Sequence, residues 1–302
     1  MKSMMVCLLA SSLAAPAWAV EDCPGLDGRF QQQVKDQQME QAEASLHQME
    51  LACPQRIVQA DELYFTEVLA SQAEALAKAG KLDAAESLLK KAKRNSWMVS
   101  AMRGYIASQR KPTDWGEVAQ HYTIALELVT DPKDASLKQL PDLAATQQRL
   151  LGLATDAQLF YGKPAPAARD GQPHGVLLAA ARGIAIDHNK LLLPVHFDTK
   201  LASLNADGKL SADAMAEFLL QQKPASITLT GHADPRGKDS DNLKLSQQRA
   251  QTLAQYLEQH GVTANIHTLG KGEAEPPDIS DLNPPQEIRW QRWRRVELSL
   301  GD

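Results

Sequence analysis

A segment rich in proline and glycine divides this chain into two parts with different sequence patterns. Residues 162–173 contain three prolines and two glycines, and neither residue type readily continues a helix. Before this segment the pattern is helical, whereas after it strand-like runs alternate with helix-like runs. We therefore predict an α+β multidomain protein with a helical domain at residues 20–161, a linker at 162–174 and an α/β domain at 175–302.

The helical part contains an approximate internal repeat. Residues 82–92 align with residues 115–125 at an offset of 33 residues, which is close to the period of tetratricopeptide repeats, and residues 39–46 are a looser match. A true array of helical hairpins presents a concave face to a peptide or protein partner. Short amphipathic helix pairs produce the same pattern by chance, and the part is then a helical spacer without a ligand. Both interpretations stay open.

The start of the chain has the pattern of a secretory signal. Lys2 precedes an apolar run at residues 6–16 and the small-residue sequence Ala17-Trp18-Ala19, which is typical of a cleavage site. Residues 1–19 are therefore predicted to be a signal peptide. The apolar run is too short for an uncleaved membrane anchor, which needs about 20 residues, so we expect a mature periplasmic chain with no transmembrane segment.

Cysteines, histidines and charge limit the classes of function. Once Cys7 is removed with the signal, Cys23 and Cys53 remain, and in an oxidising compartment such a pair is expected to form one disulfide. The eight histidines show no ligand spacing around the cysteines, so neither a metal nor a cofactor is expected. A net charge of −5 with 5% aromatic residues does not favour nucleic-acid binding.

The most informative pair of residues is Asp234 and Arg249. Asp234 ends a strand-like run that begins near Ser226, and Arg249 falls between Leu245 and Leu253 on the apolar arc of the following helix. A guanidinium on a buried arc requires an anion, because an unpaired buried charge costs several kcal/mol. The anion is either Asp234 itself or the carboxylate of a ligand.

The same region resembles a known family. The sequence Thr230-Gly231-His232-Ala233-Asp234, followed by Asn242 and by residues 245–250, resembles the signature of the outer-membrane protein A (OmpA)-like peptidoglycan-binding domain. Residues 193–199, 270–273 and 294–297 resemble its first strand, a later loop and its last strand. The resemblance covers roughly residues 182–300 and implies a small α/β sandwich in which helices cover one face of a mixed sheet. Alternation of apolar residues in the strand-like runs independently favours such a sheet.

The resemblance also implies a ligand and a binding site. Peptidoglycan of diderm bacteria carries meso-diaminopimelate, whose free end has one ammonium and one carboxylate. Arg249 is expected to bind the carboxylate through two hydrogen bonds, and Asp234 the ammonium. An internal Asp234–Arg249 salt bridge is the alternative. The other candidate residues are Thr199 and Lys200 in a loop that lines the family's pocket, Asn242, which could equally be a helix cap, and Arg295, which could equally be an exposed strand residue.

Two departures from the family pattern concern the rim of the pocket. Trp293 stands where the family usually has asparagine, and Asp241 stands where it usually has an aromatic residue. Trp290 and Trp293 lie among arginines and either stack on sugars or close the edge of a core.

The expected function is non-catalytic, because no nucleophile elbow, zinc helix or third ligand accompanies His232 and Asp234. We expect a protein of the diderm periplasm, at the cell wall or outer membrane, that binds peptidoglycan and presents its helical domain to an unidentified protein. The alternative is an adaptor whose helical repeats hold the main partner and whose wall binding is weak or lost.

Overall fold

The computed structural model describes residues 22–134, 137–138, 140–166, 169, 175–182, 190–193, 195, 197, 201–275 and 282–301. The chain forms two compact units, of which the first ends at Phe65 and the second begins at Thr66. The predicted signal peptide lies outside the described residues, as does most of the predicted linker. None of the described helices combines the length and the apolar character that crossing a bilayer requires.

The first unit is helical and carries a disulfide. It contains α1 (Cys23–Lys35), α2 (Met39–Ala52) and the start of α3 (Gln55–Lys78). Phe30 is fully buried, and its ring centroid lies 6.1 Å from that of Phe65. Cys23 and Cys53 form the predicted disulfide, which joins the first residue of α1 to the residue that ends α2.

The second unit continues with helices. They are α4 (Leu82–Leu89), α5 (Trp97–Gln109), α6 (Trp115–Val129), α7 (Leu143–Tyr161) and α8 (Gly175–Ala181). Local chemistry sets their ends: the Asp114 carboxylate accepts hydrogen bonds from Gly116 N and Glu117 N at the start of α6, and α7 ends at Gly162, whose φ of 64° favours glycine. Leu82 and Trp115, which open the two aligned repeat segments, each begin a helix.

A small mixed sheet follows. Its strands are β1 (Lys190–Leu193), β2 (Ser226–His232), β3 (Asn265–Gly272) and β4 (Val296–Gly301), and the helices are α9 (Ala206–Gln222), α10 (Asp239–Gln259) and α11 (Gln286–Trp293). The strand order is β1-β4-β2-β3. β4 pairs antiparallel with both β1 and β2, and β2 pairs parallel with β3.

Two glycines bring α10 close to the sheet. A Cβ at Gly231 of β2 would collide with the Ser246 carbonyl oxygen, and a Cβ at Gly270 of β3 would lie 2.5 Å from Gln247 N. Leu253 and Leu257 of α10 are fully buried. The backbone of α10 can therefore rest directly on β2 and β3, which fixes the helix that carries Arg249.

The predicted fold class is confirmed: an all-α part precedes an α/β sandwich with a small mixed sheet. The helix α11 was not predicted. Within the second unit one hydrophobic cluster includes Trp115 and Phe160 from the helices and Leu253 and Leu298 from the sandwich. The limits 20–161 and 175–302 stay a prediction. The division into compact units is a different one and falls between Phe65 and Thr66.

Candidate functional site

Asp234 lies just beyond the end of β2. The register of β2 against β3 shifts between Gly231 and His232, and Ala233 N then donates to Gly272 O at 2.8 Å. The extra residue at this shift is Lys271 of β3, which lies between the partners of Gly231 and His232. Asp234 is 8% exposed, so its carboxylate needs partners.

Two arginines supply those partners. Arg236 donates from Nε to Asp234 Oδ1 at 2.8 Å and from Nη2 to Oδ2 at 2.7 Å, and Arg294 Nη1 donates to Oδ2 at 2.7 Å. Burial alone would raise the pKa of Asp234, but the hydrogen bonds from Arg236 and Arg294 outweigh it and lower the pKa to about 2. The Asp234 carboxylate is therefore held firmly in its charged form.

Neither arginine was predicted for the site. The sequence carried a signal for each, because Arg236 follows Asp234 by two residues and Arg294 opens the Arg294-Arg295-Val296-Glu297 motif. The interpretation had assigned the role of that motif to Arg295.

Arg249 lies on α10 as predicted and is half-buried. Its Nε donates to Leu201 O at 3.1 Å, and its Cζ lies 5.0 Å from the centroid of the Phe197 ring, which is favourable for a cation. Burial and the positive charge of Arg294 lower the pKa of Arg249, whereas Asp234 opposes the shift. Among the described residues, no carboxylate pairs with this guanidinium.

The alternative of an internal Asp234–Arg249 salt bridge is not what the described residues form. Asp234 instead pairs with Arg236 and Arg294. Arg249 is near enough to Asp234 to feel its charge without sharing a hydrogen bond with it. The two residues are thus close but have separate hydrogen-bond partners.

Asn242 connects the loop after β2 to α10. Its side-chain nitrogen donates to Asp234 O at 3.1 Å and to Glu273 Oε2 at 2.5 Å, and it is 7% exposed. It lies inside the first turn of α10 and is not the residue that caps the helix. Asn242 therefore positions the backbone of Asp234.

The remaining predicted residues are placed differently. Thr199 and Lys200 lie outside the described residues. Arg295 is neither exposed nor among the residues that line the site. It is 4% exposed, and its Nη2 donates to Glu297 Oε1 at 2.6 Å. Arg295 and Glu297 are two residues apart on one extended segment and therefore share a face. The alternative that Arg295 is an exposed strand residue is therefore wrong, because its side chain is buried.

His232, Glu275 and Glu297 form a group that could hold a metal by geometry alone, since their ligand atoms lie within 4.8 Å of one another. His232 Nε2 is 3.2 Å from Glu297 Oε1. The Arg295 guanidinium already contacts the same oxygen and would repel a divalent cation. Burial would raise the pKa of Glu297, but hydrogen bonding from His232 and the charge of Arg295 lower it to about 2. We therefore interpret His232, Glu275 and Glu297 as a group with a structural role.

Arg249 and Arg294 line a cavity of about 160 Å³, which we call the arginine cavity. Drug-sized ligands occupy pockets of roughly 300–1,000 Å³, so the arginine cavity accommodates the end of a ligand. Its other lining residues are Leu159, Gly162, Val195, Phe197 and Gln291.

The tryptophans of α11 lie beside this site. Arg236 Cζ is 4.6 Å from the centroid of the Trp290 ring, so Trp290 supports the arginine that holds Asp234. Trp293 ends α11 and is half-buried. A role for either ring in stacking on sugars stays a prediction.

A second cavity lies in the helical part of the second unit. It measures about 530 Å³ and is formed by α3, α5, α6 and α7. We call it the helical groove. Its apolar lining residues include Trp97, Met98, Met102, Tyr105 and Leu153, and Arg149 is among its polar ones.

Comparisons with known proteins identify the C-terminal part. Residues 196–289 match the model of the OmpA family, so this chain carries an OmpA-like domain. The peptidoglycan-associated lipoprotein of Rhizobium meliloti (strain 1021) is 35% identical over 109 residues, which are 35% of this chain and 59% of that protein. Outer membrane protein A of Shigella flexneri is 31% identical over 130 residues, which are 42% of this chain and 35% of that protein.

The chain spans about three fifths of the length of the peptidoglycan-associated lipoproteins that it matches. The names of these relatives refer to an association with peptidoglycan and to the outer membrane, in agreement with the expectation of a non-catalytic protein of the envelope.

Solved structures also resemble this part. The OmpA-like domain of FopA1 from Francisella tularensis subsp. tularensis SCHU S4 is 28% identical, covers 38% of this chain and 76% of that one, and has a TM-score of 0.30. The peptidoglycan-associated lipoprotein from Burkholderia pseudomallei is 26% identical, covers 35% and 88% of the two chains, and has a TM-score of 0.31.

Proposed function

We propose that this chain is a non-catalytic protein of the cell envelope that binds peptidoglycan through its OmpA-like domain. The ligand group is the free end of meso-diaminopimelate in the stem peptide, and the location is the periplasm of a diderm bacterium. The observation that carries the proposal is the half-buried Arg249 guanidinium, which has no carboxylate partner among the described residues and lies beside the charged Asp234.

The geometry suits a zwitterionic ligand. Arg249 keeps its position through the Leu201 carbonyl and the Phe197 ring, and a guanidinium held in this way can bond both oxygens of a carboxylate. Asp234 stays ionised down to about pH 2 and can accept hydrogen bonds from an ammonium group. Because its oxygens already accept from Arg236 and Arg294, the incoming ammonium must share or displace one of them.

Sedimentation with purified sacculi tests the proposal. The wild-type chain should pellet with the sacculi, and Asp234→Ala and Arg249→Ala should stay in the supernatant. Arg56→Ala is the matched control, because Arg56 is an exposed arginine of the first unit and should not affect pelleting. Pelleting of Arg249→Ala at the wild-type level would contradict the proposal.

A zymogram with the same sacculi tests the non-catalytic assignment. Clearing of the sacculi would contradict that assignment.

The helical groove supports a second function, the binding of a protein partner. Its largely apolar lining includes the methionines Met98 and Met102, and methionine side chains adapt readily to a peptide. The exposed Arg149 is one of its charged residues. If the chain is mainly an adaptor, Met102→Glu should remove cross-linking to envelope proteins while sacculus binding persists. Cross-linking that is unchanged by Met102→Glu would exclude the groove as the contact.

A further inference from the structure

The arginine cavity is lined from two distant parts of the chain. Arg249 and Arg294 belong to the OmpA-like part, but Leu159 and Gly162 belong to the end of α7, more than thirty residues before the segment that matches the family model begins at residue 196. Within the second unit, the helical part therefore supplies one wall of a site that the OmpA-like part was expected to form alone.

A buried ion pair holds α7 against α11. Arg292 Nε lies 2.6 Å from Asp156 Oδ1, and the two side chains are 10% and 8% exposed. Removal of one partner of such a pair leaves an uncompensated buried charge. The position of α7 relative to α11 thus depends on both residues.

Gln291 adds a second connection next to the cavity. With its amide nitrogen oriented towards α7, it donates to Phe160 O at 2.8 Å and to Leu159 O at 3.2 Å. These carbonyls belong to the last turn of α7, where helices lack internal donors. Gln291 therefore closes the end of α7 at the point where Leu159 lines the cavity.

Gly162 allows this close approach. It has a φ of 64°, and a Cβ there would collide with the Gln291 amide. A side chain at this position would be strained and would also push Gln291 away from α7. The local sequence thus permits contact between α7 and α11 where the cavity wall is formed.

We propose that the end of α7 is a wall of the stem-peptide site, and that Asp156, Arg292 and Gln291 are positioning residues that hold this wall in place. This inference rests on the proposed function, because it assigns the arginine cavity to the same ligand. Ligand binding and the α7–α11 contact are then coupled: whatever loosens the contact weakens binding, and the ligand in turn stabilises the contact.

The test uses the full mature chain and the synthetic tripeptide L-alanyl-γ-D-glutamyl-meso-diaminopimelate, with binding measured by calorimetry. Asp156→Asn is nearly isosteric and leaves Arg292 without its anion, and Gly162→Ala places a methyl group against Gln291. Each should weaken tripeptide binding about fivefold or more, the lower range of typical coupling between sites. The matched control is Asp61→Asn, the same exchange at a buried aspartate of the first unit, which should bind as the wild type does.

Hydrogen exchange gives a readout that a purely structural role would not change. In the wild type the tripeptide should slow exchange of the amides of residues 156–162, including Gly162 N, which donates to Gln158 O. In Asp156→Asn this slowing should be reduced. If Asp156→Asn does not fold, the test rests on the tripeptide affinity of Gly162→Ala and on hydrogen exchange of residues 156–162 in the wild type.

Two failures can be distinguished. If Arg249→Ala loses binding while the tripeptide leaves exchange of residues 156–162 unchanged, the proposed function stands and this inference is lost. If Asp156→Asn and Gly162→Ala both bind the tripeptide with wild-type affinity, this inference is likewise lost. If Arg249→Ala binds the tripeptide as the wild type does, the proposed function fails and this inference fails with it.

Discussion

Arg249 is a half-buried cation for which the described residues supply no carboxylate partner. Its pKa is lowered by burial and by Arg294, and its hydrogen bond in the described part of the chain is to a neutral carbonyl. The sequence predicted this half-buried cation, because its place on the apolar arc follows from helical periodicity. The three-arginine arrangement around the site was not predicted, since the approach of Arg236 and Arg294 to Asp234 depends on loops whose course periodicity does not determine.

Replacement of Arg249 by lysine tests the geometry of carboxylate binding. Lysine keeps the charge but cannot form two parallel hydrogen bonds, so Arg249→Lys should bind the tripeptide about tenfold more weakly, which is the loss of roughly one charge-assisted hydrogen bond. Calorimetry at one salt concentration measures the change in tripeptide affinity, with Arg56→Lys as the matched control. Equal affinity in Arg249→Lys would show that the charge alone is sufficient.

The lowered pKa values of Asp234 and Glu297 predict acid sensitivity. Both are about 2 in the folded chain and near 4 in an unfolded one. A lowered carboxyl pKa gives stability that is fully present above the unfolded value and is lost as the pH falls towards the folded value, on the order of 2 kcal/mol for each group. The free energy of unfolding of the second unit should therefore fall between about pH 5 and pH 2.

Urea unfolding of the wild type, Asp234→Asn and Glu297→Gln across this pH range measures the effect. Each variant should be less stable at pH 7, because an arginine loses its anion, and should depend less on pH. An identical pH dependence in the wild type and both variants would show that neither carboxylate is perturbed.

At the scale of elements, the contact of α10 with β2 and β3 fixes the distance between Arg249 and Asp234. The sequence indicated both elements, because alternation in β2 and a 3.6-residue period in α10 are strong patterns. It did not indicate α11, which has eight residues and follows two prolines. The support of Arg236 by Trp290 and the contact between α11 and α7 are both tertiary contacts of this short helix. Neither could be predicted, because the sequence pattern did not indicate the helix.

Gly231→Ala tests this element contact. The added methyl group meets the Ser246 carbonyl oxygen, so α10 must move away from β2. Overpacking of this kind costs about 1–3 kcal/mol, and tripeptide affinity should fall because Arg249 moves with the helix. Gly152→Ala is the matched control: an added Cβ would meet no described residue within 4 Å outside its own helix turn, and alanine should stabilise α7 by about 0.5–1 kcal/mol. Thermal unfolding that ranks the two variants in the opposite order would contradict the close packing of α10 on the sheet.

At the scale of the whole molecule, the two compact units depend on different interactions. The first unit has the Cys23–Cys53 disulfide, which was predicted from cysteine number and compartment. The second unit combines helices and sheet in one hydrophobic cluster. The sequence pattern indicated a change from helices to strands near residue 175, but a change of secondary structure need not be a boundary between cores, because residues from both sides of it belong to one hydrophobic cluster.

Removal of the disulfide should affect the first unit alone. Its two cysteines are 30 residues apart, and a loop of this length stabilises by about 3–4 kcal/mol in the chain-entropy model. Cys23→Ser combined with Cys53→Ser should speed hydrogen exchange in α1 and α2 and leave tripeptide affinity unchanged. Loss of tripeptide binding in this double variant would show that the site depends on the first unit.

The most direct test of peptidoglycan binding is a crystal structure of the mature chain with the tripeptide L-alanyl-γ-D-glutamyl-meso-diaminopimelate. The proposed function predicts the diaminopimelate carboxylate against the Arg249 guanidinium and its ammonium against the Asp234 carboxylate, with the tip of the ligand in the arginine cavity. A tripeptide bound elsewhere, or Asp234 and Arg249 paired with each other in its presence, would contradict it.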